Sequence, residues 1–299
     1  MQQGHSELFF TDYRDFWWNK DFLDLTAKRL QLYQYQHILD IGCGQCHWSK
    51  LLVDYLAYPA KITGLDNDPK WSKNPWDTWE YFNSKQADFD LVHGNAHALP
   101  FPDNSFDMVT CQTVLIHVKD PLKAIEEMKR VVRPGGLILC VEPNNRIQNL
   151  LQTSLTEDRS IEEIMEHVQY ALICEQGKKR MGHGDNSVGD LIPGFMQQLG
   201  LVELNVSLSD KAIAMYPPYT LEEQQATMNQ WKQGSTWQTQ QYNDKDYFLA
   251  FGEKYLDFFY RYHEKYPHTD KQIHSAISTQ HYHAAGGALM YLVSGLKPW

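Results

Sequence analysis

Short apolar runs alternate with amphipathic segments over the first half of the chain. The runs predict buried strands at residues 37–41, 61–66, 89–93, 106–112 and 137–142. The segments between them carry the helical period, and residues 122–132 place Ile125, Met128 and Val132 on one face. Strands that alternate with helices at this spacing predict parallel β-α-β units with helices on both faces of the sheet.

The pattern changes after Pro143. Residues 145–180 and 191–199 have a helical pattern, whereas residues 201–208 alternate apolar and polar positions, which predicts a half-buried strand. A long helical segment follows, and residues 288–296 form a last strand. Because that segment is too long for a connection, we interpret residues 211–285 as a helical cap inserted between the last two strands. Residues 1–35 predict an N-terminal helical lid, which leaves residues 36–210 and 286–299 for the α/β domain.

Aromatic residues make up 13% of the chain and cluster at residues 9–18, 71–82 and 231–266. Such clusters can line an apolar ligand pocket or pack helices against one another, and the sequence leaves both interpretations open. The candidate pocket walls in the cap are Tyr216, Tyr219, Trp231, Trp237, Tyr242 and Phe248.

The composition narrows the choice of partners and compartment. A formal net charge of −10 argues against a nucleic-acid partner, because nucleic-acid-binding proteins present a basic surface. The five cysteines are an odd number and are scattered, so no disulfide framework is expected. The sequence shows no secretory signal and no apolar run long enough to span a bilayer, so we expect a cytoplasmic protein. The oligomeric state stays open.

The most informative motif is a glycine turn after the first predicted strand. Asp40 ends the apolar run, and Gly42-Cys43-Gly44 then breaks the chain before a helical pattern resumes. Glycines permit positive φ and the close approach of a ligand to bare backbone, and the following N–H groups can bind it. Cys43 and Cys46 also form a C-x-x-C motif, which is typical of a redox dithiol. At this point both chemistries are possible.

Polar side chains follow four different predicted strands, at the point where each strand ends. They are Asp40, Asp66, Asn95 and Gln112. The carboxyl ends of parallel strands meet at one edge of a sheet, where such folds bind their ligands. We therefore expect one ligand site built from these four positions.

With these features, the chain resembles the class I S-adenosylmethionine-dependent methyltransferases, especially the small-molecule group that includes the ubiquinone and sterol enzymes. The resemblance lies in residues 38–44, 62–68, 94–109 and 128–142, and its most specific part combines Leu-Pro-Phe-Pro-Asp-Asn-Ser-Phe-Asp with Arg-Val-Val-Arg-Pro-Gly-Gly. It implies a Rossmann-like, seven-stranded, mostly parallel sheet and S-adenosylmethionine as the cofactor, with S-adenosylhomocysteine as the product. It also implies methyl transfer to a small acceptor, which we expect to be apolar or aromatic.

The resemblance assigns roles by position. Gly42, Cys43 and Gly44 would place backbone against the methionine part of the cofactor, and Gln112 would face the same end. Asp40 would anchor the turn or receive the cofactor ammonium through water. The cofactor-binding set is completed by Asp66, which would accept both ribose hydroxyls, by Asn67 beside it, and by Asn95 and Ala96 next to the adenine.

Two positions depart from the family pattern. Cys46 stands where the family usually has a third glycine, so the turn must tolerate a side chain there. Asn95 stands where the family usually has Asp, although an amide oxygen can still accept a hydrogen bond from the adenine amino group. These departures support one alternative, a protein that binds S-adenosylmethionine without transferase activity. A second alternative is an NAD-type oxidoreductase, because Asp66 also suits an NAD ribose, but the G-x-G-x-x-G spacing is missing.

His117 is the candidate catalytic residue. An imidazole suits deprotonation of an oxygen or nitrogen nucleophile near neutral pH. Methyl transfer can also proceed without a base, because close in-line placement supplies most of the effect, so His117 also fits a loop residue with no chemical role. Glu142 could face the pocket, but a hydrogen-bonding role toward nearby backbone is the favoured interpretation. The irregularly spaced histidines near the end of the chain match no metal-ligand pattern, and we expect no metal.

Overall fold

The computed structural model describes residues 12–71, 76–234, 244–267 and 269–299. Seven strands form one sheet in the order β3-β2-β1-β4-β5-β7-β6. The strands are β1 (His37–Ile41), β2 (Lys61–Asp66), β3 (Asp88–His93), β4 (Phe106–Gln112), β5 (Val132–Asn144), β6 (Val202–Leu208) and β7 (Leu289–Leu296). The predicted α/β class and seven-stranded sheet are confirmed.

The α-helices in the described residues are α1 (Lys20–Arg29), α2 (His47–Leu52), α3 (Trp76–Ser84), α4 (Pro121–Val131), α5 (Ile161–Arg180), α6 (Ile192–Gln198), α7 (Glu222–Gly234), α8 (Asp244–Phe251), α9 (Leu256–Lys265) and α10 (Thr269–Ser278). The last four lie between β6 and β7 in sequence, as the predicted insertion requires. No helix of the described residues has both the length and the apolar character needed to cross a membrane.

β1 lies at the centre of the parallel part of the sheet and pairs with β2 on one side and β4 on the other. Its last residue, Ile41, is in register with Leu65 of β2 and Cys111 of β4. The residues that follow these strands therefore emerge at the same edge. This register explains why polar groups far apart in sequence share one region of the fold.

Buried aliphatic residues on both faces of the strands form the core, with Leu39, Ile62 and Ile138 fully buried. α4 covers part of it through Ile125 and Met128. The helix begins where the Asp120 side chain accepts the Lys123 N–H at 3.0 Å, a typical N-cap.

Arg130 joins two of the stretches that carry the family resemblance. From α4 its guanidinium donates to the carbonyl oxygens of Leu99 and Phe101 at 2.9 and 2.8 Å. It also pairs with Glu127, which accepts the Leu99 N–H at 2.8 Å. The Leu-Pro-Phe-Pro segment is therefore held to α4 by Arg130 and Glu127, which gives this part of the motif a structural explanation.

The prediction that residues 201–208 form a half-buried strand is wrong about burial. β6 forms, but almost all of its residues are exposed, and the exposed fractions of Val202 and Val206 are 44% and 47%. The reason is its place at the edge of the sheet, where β7 is its neighbour in the order. Alternation along the chain predicts a strand, but it does not show how much of the strand is covered.

The chain divides into two compact units. The sheet unit contains residues 19–144, 187–209 and 290–299, and the helical unit contains residues 145–186 and 210–289 together with the described part of residues 1–18. This division differs from the predicted lid, domain and cap, because α1 belongs to the sheet unit and α5 to the helical unit. α5 packs mainly against α8 of the same unit.

Aromatic packing holds the helical unit together. Tyr170 of α5 stacks on Tyr262 of α9 with 4.1 Å between ring centroids, and Phe248 of α8 is fully buried against Tyr170. Gly177 lets the helices approach, because a Cβ there would overlap the Tyr247 carbonyl. For Phe248 the packing interpretation therefore holds.

Two other candidate pocket walls also pack within the helical unit. Tyr219 is buried and its hydroxyl donates to the Tyr282 carbonyl at 2.8 Å, while Trp231 packs edge-on against Tyr282. Tyr216 is exposed. Trp237 and Tyr242 lie outside the described residues.

Candidate functional site

The turn after β1 has the backbone conformation that its glycines predict. Gly42 and Gly44 have φ angles of +63° and +51°. A Cβ at Gly42 would lie 2.5 Å from Cγ2 of Val114, in the segment that follows β4. The turn therefore needs glycine both for its φ angle and for its close approach to Val114.

Cys46 shares this left-handed conformation, with φ +56°, although it has a side chain. Its N–H donates to the Cys43 carbonyl at 2.7 Å, and the residue is fully buried. The turn thus tolerates a side chain at the position of the third glycine, as the sequence requires.

Hydrogen bonds to β2 fasten the turn. The Cys43 N–H donates to the Leu65 carbonyl at 3.1 Å, and the Gly44 N–H donates to Oδ2 of Asp66 at 2.9 Å. The other carboxylate oxygen of Asp66 accepts the Asp68 N–H at 2.9 Å. Each oxygen has a further lone pair, so the carboxylate can still accept two hydroxyl groups. Burial raises the pKa of Asp66.

Asp40 lies beneath the turn with 1% of its surface exposed. Its Oδ2 accepts a hydrogen bond from the hydroxyl of Ser49, which lies in α2. Burial raises the pKa of Asp40 to about 7. The contact joins β1 to α2. It is the contact expected if Asp40 anchors the turn, which is one of the two roles predicted for this residue.

The segment after β3 approaches the same edge. The Gly94 N–H donates to the Asp66 carbonyl at 2.9 Å, which places Asn95 and Ala96 next to the end of β2. Oδ1 of exposed Asn95 accepts the His97 N–H at 2.9 Å, and Ala96 is buried. One lone pair of the amide oxygen is thus already used.

Asn67 is exposed, in contrast to the residues beside it. Its backbone carbonyl lies 3.1 Å from Nε2 of His93, at the end of β3. The contact ties the residue after β2 to the neighbouring strand and leaves the Asn67 side chain at the surface.

Gln112, the last residue of β4, is only 7% exposed. Its Nε2 is a buried donor with no hydrogen-bond partner among the described residues. Leaving such a donor unsatisfied costs about 1–3 kcal/mol, so buried donors nearly always have a partner. A carboxylate or another acceptor of a bound ligand would satisfy it.

Glu142 binds the backbone that follows β4, so the favoured interpretation of this residue is confirmed. Its carboxylate accepts the N–H groups of Val114 and Leu115, both at 2.8 Å, and of Ile116 at 3.3 Å. Burial raises its pKa to about 7. His117 is half-buried in the short helix Leu115–His117, and its N–H donates to the Val114 carbonyl at 2.9 Å.

The two cysteines of the C-x-x-C motif are free and buried. A Cβ at Gly64 would lie 2.8 Å from Cys43 Sγ and 3.1 Å from Cys46 Sγ, so both thiols pack over this glycine. Hydrogen bonding with Cys46, together with burial, raises the pKa of the Cys43 thiol. A reactive dithiol needs exposure and a lowered thiol pKa, so the redox interpretation is wrong.

The structure brings the predicted residues of the four strand ends to one edge of the sheet unit. Sequence reasoning missed Val114 and Ser49, which complete the turn from 72 and 7 positions away from Gly42. A hydroxyl in the first turn of α2 was the available signal for Ser49, whereas no signal marked Val114. Within the described residues, no group of three or more His, Cys, Asp or Glu side chains could hold a metal ion.

Comparisons with known proteins agree with this geometry. Residues 39–140 match the family model described as a methyltransferase domain. The demethylmenaquinone methyltransferase of Bacillus licheniformis is 38% identical over 124 residues, which are 42% of this chain and 52% of that protein. The enzyme of the same name from Listeria welshimeri is 36% identical over 128 residues, or 42% and 50% of the two chains. The chain thus spans about half the length of these relatives.

Solved structures support the fold. The YcgJ protein of Bacillus subtilis aligns with a TM-score of 0.52 at 15% identity, covering 94% of this chain and all of that one. A proposed methyltransferase from Bacillus halodurans aligns with a TM-score of 0.51 at 14% identity, covering 92% and 98%. The matched domain contains the glycine turn, Asp66, Asn95 and Gln112, which sets aside the NAD-type alternative. Over residues 39–140, the chain is therefore similar to methyltransferase domains.

Proposed function

We propose that the sheet unit binds S-adenosylmethionine at the carboxyl edge of its strands and that the chain transfers the methyl group to a small molecule. The observation that carries this proposal is the buried Nε2 of Gln112, which has no partner among the described residues and lies at the same edge as the Gly42–Gly44 turn. A buried donor of this kind fits a site in which the ligand supplies the acceptor.

Each part of the edge suits one part of the cofactor. The Gly42–Gly44 backbone and the Gln112 amide would hold the methionine moiety, and Asp66 would accept the ribose hydroxyls. Asn95 and Ala96 would lie against the adenine, with Asn67 at the open end. When bound, the cofactor supplies a methyl group on a positively charged sulfur, an electrophile that needs no protein nucleophile.

The protein's contribution to the reaction is mainly placement. Holding donor and acceptor in line can supply most of the rate enhancement of a transfer between two bound molecules. His117 would accept a proton if the attacking atom is a protonated oxygen or nitrogen. Its half-buried place on the segment after Gln112 fits this role.

The acceptor is proposed from chemistry. The relatives named above are demethylmenaquinone methyltransferases, so a small aromatic quinol is the first acceptor to assay. The similarity to these relatives covers only the part of the chain that we propose to bind the cofactor. For the acceptor, we therefore propose only that it is small and apolar or aromatic. We propose a cytoplasmic site of action and no nucleic-acid substrate, in keeping with the net charge of −10.

Asp66→Ala tests the placement of the cofactor. Because this substitution removes both acceptor oxygens, we expect the Kd for S-adenosylmethionine, measured by calorimetry, to rise about tenfold or more. Asp90→Ala is the matched control: it also removes a carboxylate from a neighbouring strand, but this carboxylate is exposed and pairs with Lys61. An unchanged Kd in Asp66→Ala would contradict the ribose placement, and no binding by the unaltered protein would contradict the proposal itself.

Turnover separates the enzyme from the alternative of a binding protein without activity. We expect S-adenosylhomocysteine to form when the protein is incubated with S-adenosylmethionine and a panel of quinols, phenols and amines. Tight cofactor binding with no product on any acceptor would favour the alternative, which the Asn95 and Cys46 departures support.

A further inference from the structure

Glu142 is a buried carboxylate that does not belong to the set of groups proposed to hold the cofactor. Its hydrogen bonds go to three consecutive backbone N–H groups, those of Val114, Leu115 and Ile116, at 2.8, 2.8 and 3.3 Å. The residue is 0% exposed. An ionised carboxylate is an acceptor at both oxygens, so it can satisfy all three donors at once.

The segment that Glu142 holds forms one side of the glycine turn. The backbone bends sharply after Gln112, where Thr113 has a φ angle of +54° and donates its N–H to the Val141 carbonyl at 2.9 Å. Val114 follows, and its side chain is so close to Gly42 that a single added methyl would lie 2.5 Å from it. The position of Val114 therefore determines the space beside Gly42.

The same segment carries the two residues proposed to act on the ligand. Gln112 immediately precedes the bend, and His117 ends the short helix Leu115–His117. Glu142 lies on β5, yet it anchors the segment that follows Gln112. This segment contains Val114, beside the glycine turn, and His117, the candidate base.

Among the described residues, thiols and acidic side chains lie around the Glu142 carboxylate. From β4, the Cys111 thiol lies 3.7 Å from Oε1, and Cys140 of β5 is beside Cys111 in register. The segment Val188–Leu191 packs near the Glu142 backbone, and its Asp190 accepts a hydrogen bond from Asn144 at 2.6 Å. Asp40 acts electrostatically on Cys111, Tyr291 bonds Asp190, and His117 lies on the short helix that Glu142 holds.

We propose that Glu142 is a positioning residue whose ionised carboxylate holds the Val114–Ile116 backbone against the glycine turn, so that cofactor affinity depends on its protonation. The inference rests on the proposed function, because it assumes that the turn binds the cofactor. A protonated carboxyl has a donor where a backbone N–H requires an acceptor, so protonation weakens the anchor. Burial raises the pKa of Glu142 to about 7, so the change is expected near neutral pH.

The test measures the Kd of S-adenosylhomocysteine by calorimetry at several pH values between about 6 and 8, in the full chain. For the unaltered protein we expect binding to tighten as pH rises. For Glu142→Gln we expect a Kd about tenfold higher at the upper end and a much smaller change with pH, because the amide never gains the charge that accepts all three N–H groups. A structural role alone would lower the Tm and leave this pH dependence intact.

Glu127→Gln is the matched control. Glu127 is also a buried carboxylate that accepts a backbone N–H, that of Leu99, but it lies on α4 and binds Arg130. We expect this variant to lose stability and to keep the pH dependence of binding. If both glutamine variants kept that dependence, the inference would be overturned; if the unaltered protein bound no S-adenosylhomocysteine, the proposed function would fail instead.

Glu142→Asp keeps the inference testable if the glutamine variant does not fold. The shorter side chain retains the charge but cannot reach three donors spread over Val114–Ile116 from the same backbone position. We expect weaker binding across the whole pH range, measured in the same way. Affinity equal to that of the unaltered protein at each pH would overturn the inference.

Discussion

At the scale of single residues, the site depends on contacts so close that one methyl group would disturb them. Gly42 touches Val114, and Gly64 lies under the thiols of Cys43 and Cys46. The two cysteines therefore pack the turn onto β2, which gives the C-x-x-C motif a structural explanation. Glycine at these positions is required by space as much as by backbone conformation.

Gly64→Ala is predicted to destabilise the protein by about 1–3 kcal/mol. The new Cβ would lie 2.8 Å from Cys43 Sγ and 2.9 Å from Leu91 Cδ1, so side chains or backbone must move. Urea unfolding measures the change in the free energy of unfolding. Gly194→Ala in α6 is the control, because a Cβ there meets nothing within 4 Å and alanine favours a helix. Equal stabilities of the two variants would contradict the packing described for the thiols.

At the scale of secondary-structure elements, the helix after the site is defined by its first turn. Asp120 caps α4, Pro121 starts it, and Arg130 in its last turn joins it to the Leu99–Phe101 segment. The helix, which lies between β4 and β5 in sequence, is therefore joined to the segment after β3. Its start is determined by local capping, whereas its buried face is determined by packing on the core.

Asp120→Ala is predicted to lower the free energy of unfolding by about 0.5–2 kcal/mol, the usual effect of losing an N-cap. The lost contact is the 3.0 Å hydrogen bond from the Lys123 N–H. Amide hydrogen exchange should also speed up in the first turn of α4. Glu126→Ala, which removes an exposed ion pair with Lys123 in the same helix, should cost less than about 1 kcal/mol. A cost for Asp120→Ala no larger than that of Glu126→Ala would count against the cap.

At the scale of the whole molecule, buried carboxyls make stability depend on pH. Burial raises the pKa values of Asp40 and Glu142 to about 7, whereas unfolded carboxyls titrate near about 4. The folded protein thus holds protons that the unfolded chain releases between these values. Their contribution to the free energy of unfolding is greatest at low pH, falls as pH rises from about 4 to about 7, and is constant above that.

Asp40→Asn is predicted to flatten this fall, because the amide has no proton to lose and still accepts the Ser49 hydroxyl. Each unit of pKa difference corresponds to about 1.4 kcal/mol, so the variant should gain about 1–3 kcal/mol on the unaltered protein between pH 5 and pH 8. Urea unfolding at these two pH values gives the measurement. Asp90 is an exposed carboxylate, so Asp90→Asn should have the same change in the free energy of unfolding between these pH values as the unaltered protein. A parallel pH profile for Asp40→Asn would show that Asp40 titrates normally.

Much of the fold could be predicted from local patterns. The bounds of β1, β2 and β4 agree with the predicted runs, because a short apolar run between turn residues has few other structures open to it. The glycine turn and the polar strand ends were equally visible, since they are properties of neighbouring positions. Exposure of β6 and the division into two units were not predictable, because both depend on which elements come to lie side by side.

The sequence by itself determined the strands and the glycine turn, and it predicted the family resemblance and the set of cofactor residues, because all of these depend on short segments. Only the tertiary structure decided what those segments do to each other. It buried both thiols over Gly64 and so excluded the redox reading, and it set Glu142 beneath Val114 from 28 positions away. The physical reason is that burial and hydrogen bonding are determined by neighbours in space, and they decide whether a thiol reacts or a carboxyl ionises.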